Sequence, residues 1–173
     1  MKTDVWTDKN AHAGVGCYSW DPNSTVTYVM MVNIENEVEV WWKDVNASMQ
    51  DTGSHPINRW VKAEAANIPG VHPSTSLGYT SYLYAQSNAT AEIMGYNVTW
   101  AAENTTIVDH FAIPLAPGLP GTHLSVCTMP ENSQGKSLAV FYQTEGDEVS
   151  QFRRDLDGGQ WTTTKPLPIP ISD

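Results

Sequence analysis

The chain has 173 residues, of which 40% are hydrophobic and seven are tryptophan, so it is long enough to bury a sizeable core. Its formal net charge of -10 argues against a nucleic-acid-binding protein, because phosphates require patches of lysine and arginine. No apolar run reaches the roughly 18 residues that a membrane-spanning helix needs. We therefore expect a packed globular protein with no nucleic acid among its partners.

One order of short elements recurs about every fifty residues along the chain. Aromatic residues mark the ends of short strands at Trp6, Trp60, Phe111 and Trp161. Between two marks comes a strand of small residues after a histidine, then an apolar strand, and then a turn with a third strand. Four short strands per unit at this period are typical of a β-propeller blade, so we predict an all-β propeller.

In chain order, the repeat divides the sequence into one leading strand and three units. These are the outer strand of a preceding blade (residues 1–10), blade one (11–62), blade two (65–115) and blade three (120–171). The links Pro69-Gly70 and Pro120-Gly121 match each other, as expected where an outer strand passes to the next inner strand. Residues 44–58 are predicted to form a longer surface loop. The sequence thus predicts three four-stranded blades and one extra N-terminal strand in a single propeller domain.

Histidines and cysteines recur on the predicted inner strands, which surround the central channel of a propeller. His12, His72 and His123 begin these strands, and a ring of imidazoles is one arrangement that holds a metal ion. The histidines can equally be residues that each copy of the repeat has kept without a function. We therefore expect neither a metal ion nor a cofactor. Cys17 and Cys127 occupy equivalent positions in blades one and three, with blade two between them. Their Cα atoms should exceed the ~7 Å that a disulfide tolerates, so we expect two buried thiols.

Five Asn-X-Ser/Thr tripeptides are candidate N-glycosylation sites. They begin at Asn23, Asn46, Asn88, Asn97 and Asn104. Chance produces this tripeptide in chains rich in these residues, but so many of them, mostly near predicted turns or strand ends, favour a glycosylated protein that is secreted or extracellular. The N-terminus lacks the apolar core of a signal peptide. We therefore expect the chain to be a portion of a longer secreted or membrane-anchored protein.

The segment from Leu138 to Asp155 resembles the fungal fucose-specific lectins, and the similarity extends over nearly the whole chain. Those lectins are six-bladed propellers with sugar sites between neighbouring blades. In each site an arginine and a glutamate hold the fucose hydroxyls, and an aromatic ring covers the apolar face of the sugar. The resemblance implies a lectin-like propeller, of which this chain supplies half a ring.

The family's sugar-clamping pair is not retained in any of the three blades. The arginine position falls on Tyr28, Tyr82 and Ala139, and the glutamate position falls on Val40, Gly95 and Gln151. Each missing hydrogen bond to a buried hydroxyl costs roughly 1–3 kcal/mol. A sugar site that survives is expected to use residues that occupy or flank the family's positions, namely Tyr28, Trp42, Tyr82, Gln151 and Arg153.

Adjacent tryptophans and a few further side chains are the other candidate sugar contacts. Trp41 and Trp42 are neighbours on one strand, so they face opposite sides of the sheet. One should pack between blades, and the other is a candidate sugar platform. The weaker candidates are Tyr96, Trp100 and Phe152, for which packing between blades is the alternative.

Three functions remain open from the sequence. The first is a secreted lectin-like propeller that binds glycans non-covalently, either fucose or a related sugar. The second is an extracellular protein-interaction module of a larger protein, which the loss of the clamps favours. The third is a glycosidase, which needs two carboxylates roughly 5–9.5 Å apart. No nucleophile motif is present and most acidic residues lie on predicted turns, so we expect no enzyme.

Three blades and one extra strand do not close a ring, and an open ring leaves a blade face and a strand edge uncovered. The expected remedy is a homodimer or the missing half of a longer protein. In either case the extra strand, Asp4 to Asp8, should pair with the outer part of a blade outside its own three-blade unit.

Overall fold

Three antiparallel sheets, two of four strands and one of four strands with a short fifth, make up the computed structural model, which describes residues 14–19, 25–45, 56–57, 59–80, 82–131, 135–146, 148–155, 159–164 and 167–168. The first sheet contains β1 (Val15–Ser19), β2 (Val26–Val32), β3 (Val38–Asp44) and β4 (Val61–Ile68). The second contains β5 (Gly78–Tyr79), β6 (Leu83–Gln86), β7 (Ile93–Thr99) and β8 (Thr106–Ala112). The third contains β9 (Ser125–Glu131), β10 (Gly135–Tyr142), β11 (Glu148–Asp155) and β12 (Thr162–Thr163), and β13 (Leu167–Pro168) also pairs with β11.

The sheets have the predicted four strands in chain order, but the first sheet extends beyond the predicted end of blade one at residue 62, because its fourth strand is β4 (Val61–Ile68). A single 3-10 turn, Ala102–Asn104, is the only helical element in the described ranges, so the all-β prediction is confirmed. The extra N-terminal strand and most of the predicted loop at 44–58 lie outside the residues that the structure describes.

Side chains of the central strands point alternately to the two faces of each sheet, and one hydrophobic core forms at each blade junction. In β2, Tyr28 and Met30 are buried, while Val29 between them is only half-buried, which is the period of two expected of a strand. The buried set packs against Leu83 and other residues of blade two. The side chain of the next residue, Tyr84, points the other way and lies in the core between blades two and three.

The side-chain amide of Gln86 is hydrogen-bonded at both ends to the backbone of the link between blades two and three. Gln86 is completely buried, its Nε2 donates to the carbonyls of Ala91 and Leu119, and its Oε1 accepts from the Gly121 amide. Gly121 has φ of 74°, a conformation that favours glycine, and Gly70 has φ of 72° in the matching link. The two Pro-Gly links therefore make the same turn between an outer strand and the next inner strand.

The expected burial of the two cysteines is wrong. Cys17 and Cys127 are exposed free thiols. Both lie on the first strand of a sheet, which has a strand neighbour on one side only. Both also point away from blade two, because the residues beside them, Gly16 and Val126, point toward it.

Candidate functional site

A cleft of about 300 Å³ opens between blades two and three. Blade two contributes three aromatic side chains, Tyr82, Tyr84 and Phe111, together with Thr80. Blade three contributes Leu138, Arg154, Asp155 and Trp161. The cleft thus combines several aromatic rings with one cation and one carboxylate.

Local packing on blade two sets the shape of the aromatic wall. Tyr82 meets Phe111 edge to face, with ring centroids 5.3 Å apart, and lies 6.4 Å from Tyr84. Gly95 pairs with both Tyr84 and Phe111 across the sheet. A Cβ on Gly95 would lie 2.5 Å from Cζ of Phe111, so the ring of Phe111 occupies the space above this glycine. The family's glutamate cannot be accommodated there while Phe111 keeps its place.

The polar wall comes from the end of β11. Phe152 is buried in the core between the blades, and Arg154, two residues later, points to the same side. The Nε of Arg154 donates to the Gly159 carbonyl at 3.0 Å, which orients the guanidinium. Asp155 follows directly and is exposed. By the same alternation the side chain of Asp155 belongs to the opposite face of the strand, so this wall presents the guanidinium of Arg154, with Asp155 at the edge of the cleft.

A buried hydroxyl lies between these walls. Tyr84 is 0% exposed, and its Oη has no hydrogen-bond partner among the described residues. Burial raises the pKa of the Tyr84 phenol to about 12, and a weak interaction with the Thr80 side chain, outside the geometry of a full hydrogen bond, offsets part of this rise. The phenol is neutral at physiological pH, and leaving such a group unpaired costs roughly 1–3 kcal/mol. It is therefore suited to receive a hydrogen-bonding ligand.

The corresponding junction between blades one and two is filled instead of open. The rings of Tyr18, Tyr28, Tyr79 and Trp100 pack there, with centroids of neighbouring rings 4.3 to 6.1 Å apart. The Tyr28 hydroxyl accepts a hydrogen bond from the Ala102 amide. The part of this junction beside Tyr28 therefore has no space for a sugar ring, and the open space of this junction lies elsewhere, near Ile68 and His110.

The structure distributes the five predicted binding residues over three different blade faces. Tyr82 lines the cleft between blades two and three. Tyr28 and Trp42 pair across strands and are 3% and 2% exposed, inside the core between blades one and two. Gln151 and Arg153 lie on the face of blade three turned away from blade two. The five positions correspond to one another from blade to blade but do not converge on one site.

The candidates outside the cleft are held either by hydrogen bonds or by burial in a junction core. Arg153 donates from Nε to the Ser137 hydroxyl at 2.8 Å, and Gln151 accepts at Oε1 from the Thr164 hydroxyl at 3.0 Å. Trp41 and Trp42 do point to opposite faces, but Trp41 is half-buried and its indole N–H donates to Glu39. The weaker candidates are buried or half-buried in the junction cores; these are Tyr96, Trp100 and Phe152.

Sequence reasoning missed most of the cleft. In the sequence Phe111 and Trp161 are predicted only as aromatic strand ends, and the predicted site residues do not include Tyr84, Arg154 or Asp155. The signal that could have found Arg154 is its spacing of two from Phe152, which places it on the core side of the strand.

The remaining predicted sites have the following positions. Asn88, Asn97 and Asn104 are exposed, whereas Asn23, Asn46 and His12 lie outside the described residues. His72 accepts at Nδ1 from the Ser74 amide, and the ring of His123 bonds to the Ser76 hydroxyl. Within the described ranges no group of histidine, cysteine, aspartate and glutamate is arranged to hold a metal ion. In the same ranges no helix is long and apolar enough to cross a membrane.

Seven chains of known structure match this one. The SapL1 lectin in complex with alpha methyl fucoside has a TM-score of 0.60 and 15% identity, over 91% of this chain and 50% of its own. A triple arginine-to-alanine mutant of AofleA from Arthrobotrys oligospora has a TM-score of 0.60 and 18% identity, over 93% and 44%. The chain therefore shares the β-propeller fold of these structures and spans about half their length. No protein-family model and no curated protein sequence matches it.

Proposed function

We propose that this protein is a lectin-like propeller that binds a glycan non-covalently, fucose or a related neutral sugar, in the cleft between blades two and three. The observation that carries the proposal is the meeting of Tyr82 and Trp161 with Arg154 and Asp155 around one space of about 300 Å³. Aromatic rings cover the C–H face of a sugar, and an adjacent cation and carboxylate donate to and accept from its hydroxyls. A structural neighbour solved with alpha methyl fucoside supports the choice of sugar.

The proposed clamp comes from the opposite wall to that of the fungal fucose lectins. In that family the arginine and glutamate positions would be Tyr82 and Gly95 of blade two, and here those positions carry an aromatic ring and a glycine covered by Phe111. Arg154 of blade three faces the same space from across the junction, and Asp155 lies at its edge. The polar partners lost from one wall are thereby replaced from the other.

Hydrolysis is not part of the proposal. Asp155 is the only carboxylate among the described residues that line the cleft. Both retaining and inverting glycosidases need a second one across the scissile bond. We therefore expect the bound sugar to be released unchanged.

Isothermal titration with methyl α-fucoside tests the proposal. We expect saturable binding that Trp161→Ala weakens at least about fivefold, since an aromatic platform contributes on the order of 1 kcal/mol or more. Trp60→Ala is the matched control, because Trp60 lies beside Lys43 in blade one and does not line the cleft. Absence of saturable binding to the fucoside and to a broad glycan array would overturn the proposal and favour the protein-interaction module.

We also propose that a second copy completes the ring. Val29, Met31 and Trp41 on the outer face of blade one are only half-buried, whereas Leu138 and Val140, on the corresponding face of blade three, are 5% and 0% exposed. A covering blade would remove this apolar surface from water. Light scattering is expected to give twice the 19.1 kDa of one chain. A stable monomer would rule the second copy out.

Secretion and N-glycosylation remain part of the proposed function. The exposure of Asn88, Asn97 and Asn104 supports it, because the glycosylating enzyme requires an accessible asparagine. Expression through a eukaryotic secretory pathway should give a product whose mass falls on treatment with peptide N-glycosidase. An unchanged mass would contradict the glycosylation.

A further inference from the structure

The two cysteines of the chain do not occupy matching positions in blades one and three. In β9, Cys127 pairs with Ala139. Ala139 corresponds to Tyr28 of blade one, whose partner in β1 is Tyr18. Cys127 therefore corresponds to Tyr18, and Cys17 lies one residue earlier. The equivalence predicted from the sequence is wrong by one residue, so the two thiols point to opposite faces of their blades.

This offset places the thiols on the two open faces of the three-blade unit. Tyr18 points toward the following blade, where its ring meets Tyr79 and Trp100. The thiol of Cys127 therefore points to where a blade following blade three would pack. Cys17 points to where a blade preceding blade one would pack. When a second copy completes the ring, the open face of blade three in one subunit meets the open face of blade one in the other, and we name this contact the closing junction.

The junction between blades one and two shows which residues meet in such a contact. There the counterpart of Cys127 is Tyr18. The counterpart of Cys17 is Tyr79, since each pairs with the residue that follows the family's arginine position. The rings of Tyr18 and Tyr79 are in contact, with centroids 4.3 Å apart. A closing junction of the same geometry therefore brings Cys127 against the partner's Cys17.

The inner strands of neighbouring blades also approach closely enough for a disulfide, which joins Cβ atoms roughly 3.5–4.5 Å apart. Between blades one and two, a Cβ on Gly16 would lie 3.8 Å from the Cβ of Leu77. Between blades two and three, a Cβ on Gly78 would lie 3.0 Å from the Cβ of Val126, which is the counterpart of Cys17 in blade three. Both existing junctions thus bring inner strands to the separation that a disulfide spans.

The open faces also carry apolar surface that a closing junction would cover. Phe141 on the open face of blade three is half-buried, whereas its counterparts Tyr84 and Met30, which a following blade covers, are 0% exposed. Val29 on the open face of blade one is half-buried, whereas its counterpart Leu83, which a preceding blade covers, is 0% exposed. The closing junction therefore continues the packing of the two junctions within the chain, and its occupant is a second copy.

We propose that two disulfides close the ring, each of them joining Cys17 of one subunit to Cys127 of the other. This inference rests on the second copy of the proposed function, and a two-fold axis makes the two closing junctions identical. For each bond, two cysteine sulfurs are oxidised, and their two protons and two electrons pass to a low-molecular-weight disulfide such as oxidised glutathione, which is reduced to two thiols. An oxidising compartment maintains such bonds, so the closed ring does not reopen on dilution.

The first test compares the intact chain in an oxidising glutathione buffer with the same chain kept reduced. We expect non-reducing electrophoresis and intact mass to show a covalent dimer of twice 19.1 kDa after oxidation, and the mass of one chain after reduction. Peptide mapping without reduction should find Cys17 linked to Cys127. The melting temperature of the reduced dimer should fall on dilution, whereas that of the oxidised dimer should not.

Two single variants are matched controls for each other. Cys17→Ser retains only Cys127, and Cys127→Ser retains only Cys17, so in a dimer of either variant each closing junction contains one thiol. Neither variant should cross-link when it is oxidised alone. When the two are mixed under reducing conditions, left to exchange subunits and then oxidised, they should form a covalent dimer of one chain of each kind. Thermal melting of each reduced variant checks folding, which should be unchanged because both thiols are exposed.

The possible failures are distinguishable. Cross-linking of either variant with itself would show unselective oxidation of exposed thiols and would overturn the proposal. A dimer in light scattering that forms no bond between Cys17 and Cys127 after oxidation would overturn the disulfides and leave the second copy in place. A monomer under both conditions would overturn the disulfides and the second copy together.

Discussion

Two adjacent arginines on β11 offer a direct test of which face of blade three binds the sugar. Arg154 lines the cleft toward blade two, and Arg153 points the other way and bonds to Ser137. Arg154→Ala removes a charged donor, and a hydrogen bond to a charged group contributes roughly 1.5–3 kcal/mol. Because 1.4 kcal/mol corresponds to a tenfold change in affinity, the expected loss is roughly 10- to 150-fold. Arg153→Ala should change the affinity of this cleft by less than about threefold.

Isothermal titration with methyl α-fucoside measures both variants under the same conditions. Thermal melting of each variant serves as the control for folding, because Arg154 also holds the Gly159 carbonyl at the turn after β11. A variant that melts normally and binds weakly has lost a ligand contact. Equal losses in both variants, or a larger loss in Arg153→Ala, would refute the assignment of the cleft.

Three further predictions concern stability. Gly95→Ala must displace the ring of Phe111, and urea denaturation should show a loss of roughly 1–3 kcal/mol; an unchanged midpoint would contradict the close approach. Gln86→Leu leaves the Gly121 amide unpaired and removes one of the two donors from the carbonyls of Ala91 and Leu119, so it should lower the unfolding free energy by roughly 1–3 kcal/mol, whereas a neutral effect would contradict the role of Gln86 in this link. Desolvation would raise the pKa of Glu39, but hydrogen bonds, led by that from Lys62, lower it below the ordinary 4.5. This carboxylate therefore stabilises the fold above that pH, and the contribution should fade as the pH falls below it in acid denaturation; Glu39→Gln should remove this part of the pH dependence.

The sequence predicted the fold because its signal is a repeat. The recurring aromatic marks and the two Pro-Gly links are local features, and they give the four-stranded units that the structure confirms. The alternation of buried side chains along β2 and β3 could also be inferred, since Tyr28 and Trp42 each lie at every second position with other apolar residues. The repeat, the turns and the strand alternation are each determined by neighbouring residues in the sequence.

The cleft could not be predicted to the same extent, because it is made by the meeting of two blades. Tyr28 and Tyr82 occupy equivalent positions along their strands. Trp100 nevertheless fills the space next to Tyr28 and leaves no room there for a ligand. Conversely, Arg154 faces Tyr82 across the cleft. No local sequence pattern predicts how blade three is placed against blade two. The wrong expectation for Cys17 has the same origin, since inner strands are buried only where a neighbour covers them.

A crystal structure of the protein soaked with methyl α-fucoside tests the central claim most directly. The account predicts sugar density between blades two and three, with its apolar face on Trp161 or Tyr82 and its hydroxyls within hydrogen-bond distance of Arg154 and Asp155. Sugar bound on the outer face of blade three, against Gln151 and Arg153, would contradict it. So would an empty cleft at sugar concentrations that saturate binding in solution.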